Sequence, residues 1–234
     1  PFGVGERFEY DISFGKIHVG NGNMEVLPMD TVRGIPAWHT IFHITGGLRL
    51  VYHVNDTYED WFDLRSLASL RSWQDISEGG YNPKRRFEIF PDRQEYTENN
   101  KPAPQPSVAH PLADGSLPYF LRTVPLRVGM DTSFNDYFKA DRNPVRIRVI
   151  RRDTIDVPAG RFAAIVVQPV INTNGIFRQG GEAQIWLSDD QNRIVLQLKS
   201  KLSFGSLNLY LKSYHPSPTS TAPLNRIASP DSQR

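Results

Sequence analysis

Val145-Arg146-Ile147-Arg148-Val149 alternates apolar and charged residues without a break. A period of two sends successive side chains to opposite faces of a β-strand. One apolar face and one charged face mark an antiparallel sheet that buries a single side. The same period recurs upstream. Tyr10, Ile12 and Phe14 alternate with Asp11 and Ser13; Ala37, His39, Ile41 and His43 alternate with Trp38, Thr40, Phe42 and Ile44; Leu48, Leu50 and Tyr52 alternate with Arg49, Val51 and His53. Gly20-Asn21-Gly22-Asn23, Gly46-Gly47, Gly79-Gly80, Asn172-Thr173-Asn174-Gly175 and Gly180-Gly181 punctuate these runs. Such clusters supply the positive φ angles that hairpin turns need. The spacing predicts roughly ten to fourteen strands, as in sandwiches and barrels.

One segment changes period. Leu117, Phe120, Leu121 and Val124 fall at i, i+3, i+4 and i+7, behind Ser116 as a candidate N-cap and with Pro118 in the first turn. This predicts one short amphipathic helix over 117–124, packed on the sheet or plugging a barrel end. The proline-rich stretch from Lys101 to Pro111 reads as a loop. The expected architecture is all-β: an antiparallel spiral β-roll or barrel over residues 1–214. A Pro/Ser-rich extended tail follows over 215–234, with no core of its own.

Composition narrows the function. Net charge is +2 over 234 residues, below the basic excess usual for nucleic-acid binding. No cysteine is present, so disulfides, thiolate chemistry and cysteine metal sites are excluded. No apolar run approaches the roughly 20 residues of a membrane-spanning helix. The sequence starts at Pro1 rather than methionine, which points to an upstream segment such as a signal peptide.

Four pieces, in order, carry a resemblance: Gly5-Glu6-Arg7-Phe8-Glu9-Tyr10-Asp11-Ile12, Leu117-Pro118-Tyr119-Phe120-Leu121-Arg122, Val157-Pro158-Ala159-Gly160-Arg161-Phe162 and Ile185-Trp186-Leu187-Ser188-Asp189-Asp190. Together they resemble a family of exported bacterial envelope proteins of unknown function, over residues 1–212. The resemblance implies export, a periplasmic location peripheral to the membrane, and a long curled antiparallel sheet of a kind that elsewhere carries lipids or lipoproteins. It implies no catalytic residues. Read locally, Val157-Pro158-Ala159-Gly160 suits a turn, Trp186 suits a core position, and Asp189-Asp190 suits a turn cap. Glu6 and Arg7 are expected to pair with charges at a sheet edge.

The constellations that suggest chemistry have plainer readings. His39 and His43 would share one face of a strand, separated by roughly 13 Å at about 3.3 Å per residue. That is too far for one metal ion, even with His53 nearby. Asp56, Glu59, Asp60 and Asp63 surround Trp61 and Phe62. Two carboxylates can serve glycoside hydrolysis when about 5–9.5 Å apart, but a solvated strand face beside a turn explains them equally well. No Gly-x-Ser-x-Gly elbow occurs. No metal, cofactor or catalytic group is expected.

The strongest polar signal is basic: Lys139, Arg142, Arg146, Arg148, Arg151 and Arg152, against Asp141 alone. By strict alternation Arg146, Arg148 and Arg152 share one face. Such a stripe can hold phosphate headgroups or an acidic protein surface, or simply protect a solvated edge. In the tail, Pro216 and Pro218 stiffen the chain, Leu224 and Ile227 are apolar anchors, and Arg226 is a cation. These residues, with Arg146, Arg148, Arg151 and Arg152, form the candidate partner-binding set. The tail is expected to lie along a partner rather than fold back onto the domain. The expected function is a non-catalytic, membrane-extrinsic periplasmic structural subunit that docks on subunits of a bacterial membrane complex (respiratory, photosynthetic or envelope-assembly), with anionic lipid headgroups as a second contact. The alternative is a periplasmic carrier of a lipid, glycolipid or lipoprotein acyl chain, favoured by an apolar cavity inside the sheet.

Overall fold

The computed structural model describes residues 1–48, 52–77, 80–99, 101–171, 183–202, 205–220 and 225–227. Fourteen strands form one antiparallel sheet. They are β1 (Arg7–Phe14), β2 (Ile17–Val32), β3 (Ile35–Leu48), β4 (Tyr52–Asp63), β5 (Ser69–Asp75), β6 (Lys84–Phe90), β7 (Glu95–Glu98), β8 (Gln105–Pro106), β9 (Asp131–Phe134), β10 (Val145–Val157), β11 (Gly160–Val170), β12 (Gln184–Ser188), β13 (Val195–Leu202) and β14 (Gly205–His215). The order is β8 to β1 followed by β14 to β9. Every neighbour pair but one is therefore sequential. The exception is the seam in mid-sheet, where β1 lies against β14 with Phe8 opposite Tyr214 and Ile12 opposite Leu209. Both ends of the domain meet at this seam, and two arms of the sheet roll away from it.

The arms do not close into a barrel: β8 and β9 are the two edges. The chain between them spans that side. Leu112 bridges Tyr137 in parallel, and Phe138 packs edge-on against Phe87 and Tyr96, each with ring centroids 5.2 Å apart. The one α-helix among the described residues, α1 (Leu117–Thr123), sits here with Leu117, Tyr119, Leu121 and Arg122 buried. It stops one residue short of the expected end. Ser116 does not cap it; the Ser116 hydroxyl instead donates to the Ala113 carbonyl at 3.1 Å and lies 2.9 Å from the Ser69 hydroxyl. One apolar cluster runs from Phe8, Tyr10 and Ile12 through α1 to β6, β7 and β10–β14. Partly buried side chains such as Met24, Phe42 and Leu207 pack against this core.

Coiling needs close backbone approach. Gly20 and Gly46 face each other across β2 and β3. A Cβ on Gly20 would lie 2.1 Å from the Thr45 carbonyl oxygen, and one on Gly46 would lie 2.2 Å from that of Val19. Backbone cannot yield as a side chain does, which is why glycine stands at both positions. Gly46→Ala is expected to destabilise the fold by about 1–3 kcal/mol, the range for overpacking. An unchanged urea midpoint would rule out the close approach.

The tail departs from its expected course. β14 already includes His215. The Ser217 hydroxyl is buried and donates to the Val4 carbonyl at 2.8 Å. Pro218 packs near Gly5. Farther on, Arg226 forms a bridge with Phe162, and the Ile227 N–H donates to the Arg161 carbonyl at 2.8 Å. These described stretches lie against this chain's own strands because β11 extends past the end of β12 and leaves a slot for another extended segment. Leu224 lies outside the described residues.

Candidate functional site

Residues from the first two resembling pieces meet beside the seam. Glu6 precedes β1 on the face of Phe8 and Tyr10, and Arg122 lies in the last turn of α1. Their side chains are 1% and 2% exposed and joined by paired bonds of 2.7 Å from both guanidinium Nη atoms. Arg122 also donates to the Asn192 carbonyl at 3.0 Å and the Pro1 carbonyl at 2.8 Å. The Tyr214 hydroxyl donates to Glu6 at 2.9 Å. The rings of Phe2, Phe8 and Tyr119 surround the guanidinium at 5.4–5.9 Å. One cation thus ties the N-terminus, α1, the β12–β13 turn and β14. Burial raises the pKa of Tyr10, Tyr119 and Tyr214, with Glu6 adding to it. Tyr10 and Tyr214 act as neutral donors, to the Val195 carbonyl at 3.1 Å and to Glu6. The expectation that Glu6 and Arg7 pair at a sheet edge is corrected: β1 lies in mid-sheet, Glu6 is buried, and Arg7 pairs with Glu9 at 3.1 Å in solvent.

Next to this junction is an open groove of about 510 Å³, lined by Val124, Pro125, Asp190 and Arg193 among others. Asp190 shapes it: Oδ1 accepts from the Asn192 and Arg193 N–H groups and the Ser188 hydroxyl. This is the turn cap read from the sequence. Trp186, expected in the core, is largely buried and donates to Asp153 at 3.1 Å.

The basic stripe is present but rearranged. Between Val149 and Arg151 the register with β11 slips by one residue. Such a bulge moves the following side chains to the other face. Arg151, not Arg152, therefore continues the face of Arg146 and Arg148. All four are exposed and each has an internal acidic partner. Arg146 grips Asp131 with two bonds of 2.6 Å, and Arg148 lies 3.7 Å from the same carboxylate. Arg151 pairs with Asp153 at 2.8 Å and Arg152 with Asp189 at 2.7 Å. Pro216, Pro218, Arg226 and Ile227 of the tail are exposed at the other end of β11 and along the N-terminal segment, not beside this stripe.

The acidic cluster is split between two faces. Glu59 lies outside, 3.0 Å from His39, which stacks on Trp61 at 4.3 Å. Asp56 and Asp60 point inward and are buried, against the expectation of a solvated face. Asp60 faces Thr40 and Ser72 on the flanking strands. Its Oδ2 presses on Gly115 so closely that a Cβ there would lie 1.9 Å away, and Oδ1 lacks a partner of good geometry. Burial pushes the Asp60 carboxyl up to about 8, and Asp114 and Glu59 push the same way. Asp114 is also raised, chiefly by burial; it accepts from the Tyr137 hydroxyl at 3.1 Å and the Gln74 amide at 3.3 Å. His43 lies 2.9 Å from the Thr57 hydroxyl and His53 is exposed. Among the described residues no three His, Cys, Asp or Glu side chains are placed to hold a metal ion.

The nearly complete chain of a β-barrel-like protein of domain of unknown function DUF1849 from Brucella abortus superposes with a TM-score of 0.60 at 11% identity, covering 92% of this chain and 99% of that one. A candidate lipoprotein from Parabacteroides distasonis matches more loosely, with a TM-score of 0.39, 10% identity and coverage of 92% and 97%. At 11% identity the likeness to the Brucella abortus protein is one of fold. A search of curated proteins finds no relative. Residues 9–212 match the profile of a family described as protein of unknown function, DUF3108, and the chain belongs to that family.

Proposed function

We propose that the protein is a non-catalytic structural subunit of the bacterial envelope, exported to the periplasm and docked on the outer face of a membrane protein complex. The apolar cluster shared by both arms and α1 supports this reading. A carrier of an acyl chain needs an enclosed apolar pocket, about 300–1,000 Å³ for a small ligand. In the described core the side chains of both arms and α1 pack on one another, and the groove beside α1 is open and lined by charged residues. Three of the buried ionisable groups have structural partners: Glu6 and Arg122 hold each other, and Asp114 is held by Tyr137 and Gln74. What remains for function is the outer surface.

That surface carries Arg146, Arg148 and Arg151 on one face. An acidic partner would compete with Asp131 and Asp153 for them, so docking should be salt-sensitive, with exposed charges screened over about 8 Å at physiological ionic strength. The test is affinity purification from gently solubilised membranes, with lipid analysis of the product. Expected are co-purifying membrane subunits, no stoichiometric lipid, and loss of the complex in Arg146→Ser/Arg148→Ser/Arg151→Ser at unchanged circular dichroism. One acyl chain or glycolipid per protein, without membrane subunits, would establish the carrier instead.

A further inference from the structure

The sheet leaves one long strand half covered. β10 has thirteen residues, Val145–Val157, but its neighbour β9 has four and pairs only with Val145–Arg148. Val149 is bonded just beyond, by Gly129 and Met130. From Ile150 to Asp156 no described residue pairs with the outer edge. The hairpin tip beyond is fixed to the seam, where the Ala159 N–H donates to the Leu211 carbonyl at 3.0 Å. The Thr154 N–H is met by the Asp153 carboxylate at 2.9 Å rather than by another strand. An unpaired edge of this kind is a template for strand addition.

We propose that this edge pairs with the same edge of a second copy, antiparallel about a two-fold axis through Thr154. The charge order supports this occupant. Arg152, Thr154 and Asp156 alternate on one face and are all exposed. A two-fold antiparallel pair keeps faces together, so residues an even number apart meet. Centred on Thr154, the register sets Arg152 opposite the partner's Asp156, Asp156 opposite the partner's Arg152, and Thr154 opposite its own copy. Opposite charges and threonine pairs are favourable across strands. Centring on Arg152, Asp153 or Asp156 would set like charges face to face. On the other face Asp153 meets the partner's Ile155 and Arg151 meets the partner's Val157. Arg152 keeps two-thirds of its side chain exposed beside Asp189, and Asp156, 3.9 Å from Arg161, keeps 73% of its side chain exposed, so both can reach a second chain.

Sedimentation equilibrium of the purified protein over micromolar concentrations at low salt is expected to show a dimer. Thr154→Pro adds no bulk to the core but blocks an edge donor; it is expected to weaken the dimer by about tenfold or more with the fold retained. Arg152→Asp should do the same by setting two carboxylates face to face, and Arg152→Asp/Asp156→Arg should restore the dimer. If Thr154→Pro unfolds, the charge-reversed pair still decides. A monomer at all concentrations, or an Arg152→Asp dimer as tight as the parent, overturns the proposal.

Discussion

Arg122→Ala is expected to destabilise the protein by about 3–5 kcal/mol, the cost of leaving a buried charge without its partner. Domains are stable by only about 5–15 kcal/mol, so the variant would be only marginally folded. The cause is Glu6. Its carboxylate is 1% exposed and receives two bonds from Arg122 and one from Tyr214. Without Arg122 it keeps only the phenol. Glu6→Gln reverses the imbalance by leaving a buried guanidinium with carbonyl acceptors, and should cost a similar amount. Glu6→Gln combined with Arg122→Ala removes both charges and should cost clearly less than the two single changes together. Urea denaturation of the four proteins measures the coupling. Because Arg122 joins Pro1, Glu6 and Asn192, hydrogen exchange should accelerate together in β1, β14 and the β12–β13 turn. A loss under about 1 kcal/mol, or additive single changes, would mean that the pair is not what holds the seam.

The strands were legible because one-sided burial writes itself as a period of two, and β1, β3 and β10 lie where that period runs. The helix was legible as the one break in it. The bulge at Ile150 was not, because it inserts a single residue into a run, Ile150-Arg151-Arg152-Asp153, whose composition is the same in either register. The Glu6–Arg122 pair joins residues 116 apart, and neither sequence neighbourhood names the other. Yet half of it could have been read. Glu6 has the parity of Phe8, Tyr10 and Ile12, so it belongs to the buried face, and Asp60 has the parity of Tyr58 and Phe62. Parity assigns a face to the charged residues of a strand as it does to the apolar ones. An acidic residue in phase with a buried face can mark a buried ion pair, as at Glu6, or a protonated acid, as at Asp60. The stripe of arginines was legible as composition, but its partners, Asp131, Gln168 and Asp189, come from other strands and depend on register.

Asp60 is the protonated acid, and it predicts how stability depends on pH. Its folded pKa of about 8 lies above the roughly 3.9 of an unfolded aspartate. Between these values the folded chain binds one proton more than the unfolded chain. Stability therefore falls as pH rises. The contribution is complete below about pH 4, declines by about 1.4 kcal/mol per pH unit through the window, and is lost above about pH 8. Asp114, raised by the same burial, adds a decline of the same sign. The physical cause is the loop above β4. Gly115 closes over Asp60 with no room for a Cβ, and Oδ1 has no donor of good geometry to satisfy a charge. Asp60→Asn keeps the shape and removes the titration. It is expected to be more stable than the parent at pH 8 by about 3 kcal/mol or more, with little difference near pH 4. Thermal or urea melts of both proteins from pH 4 to pH 9 test this. Parallel profiles would show that Asp60 ionises in the folded state as readily as in the unfolded one, and that water reaches it beneath Gly115.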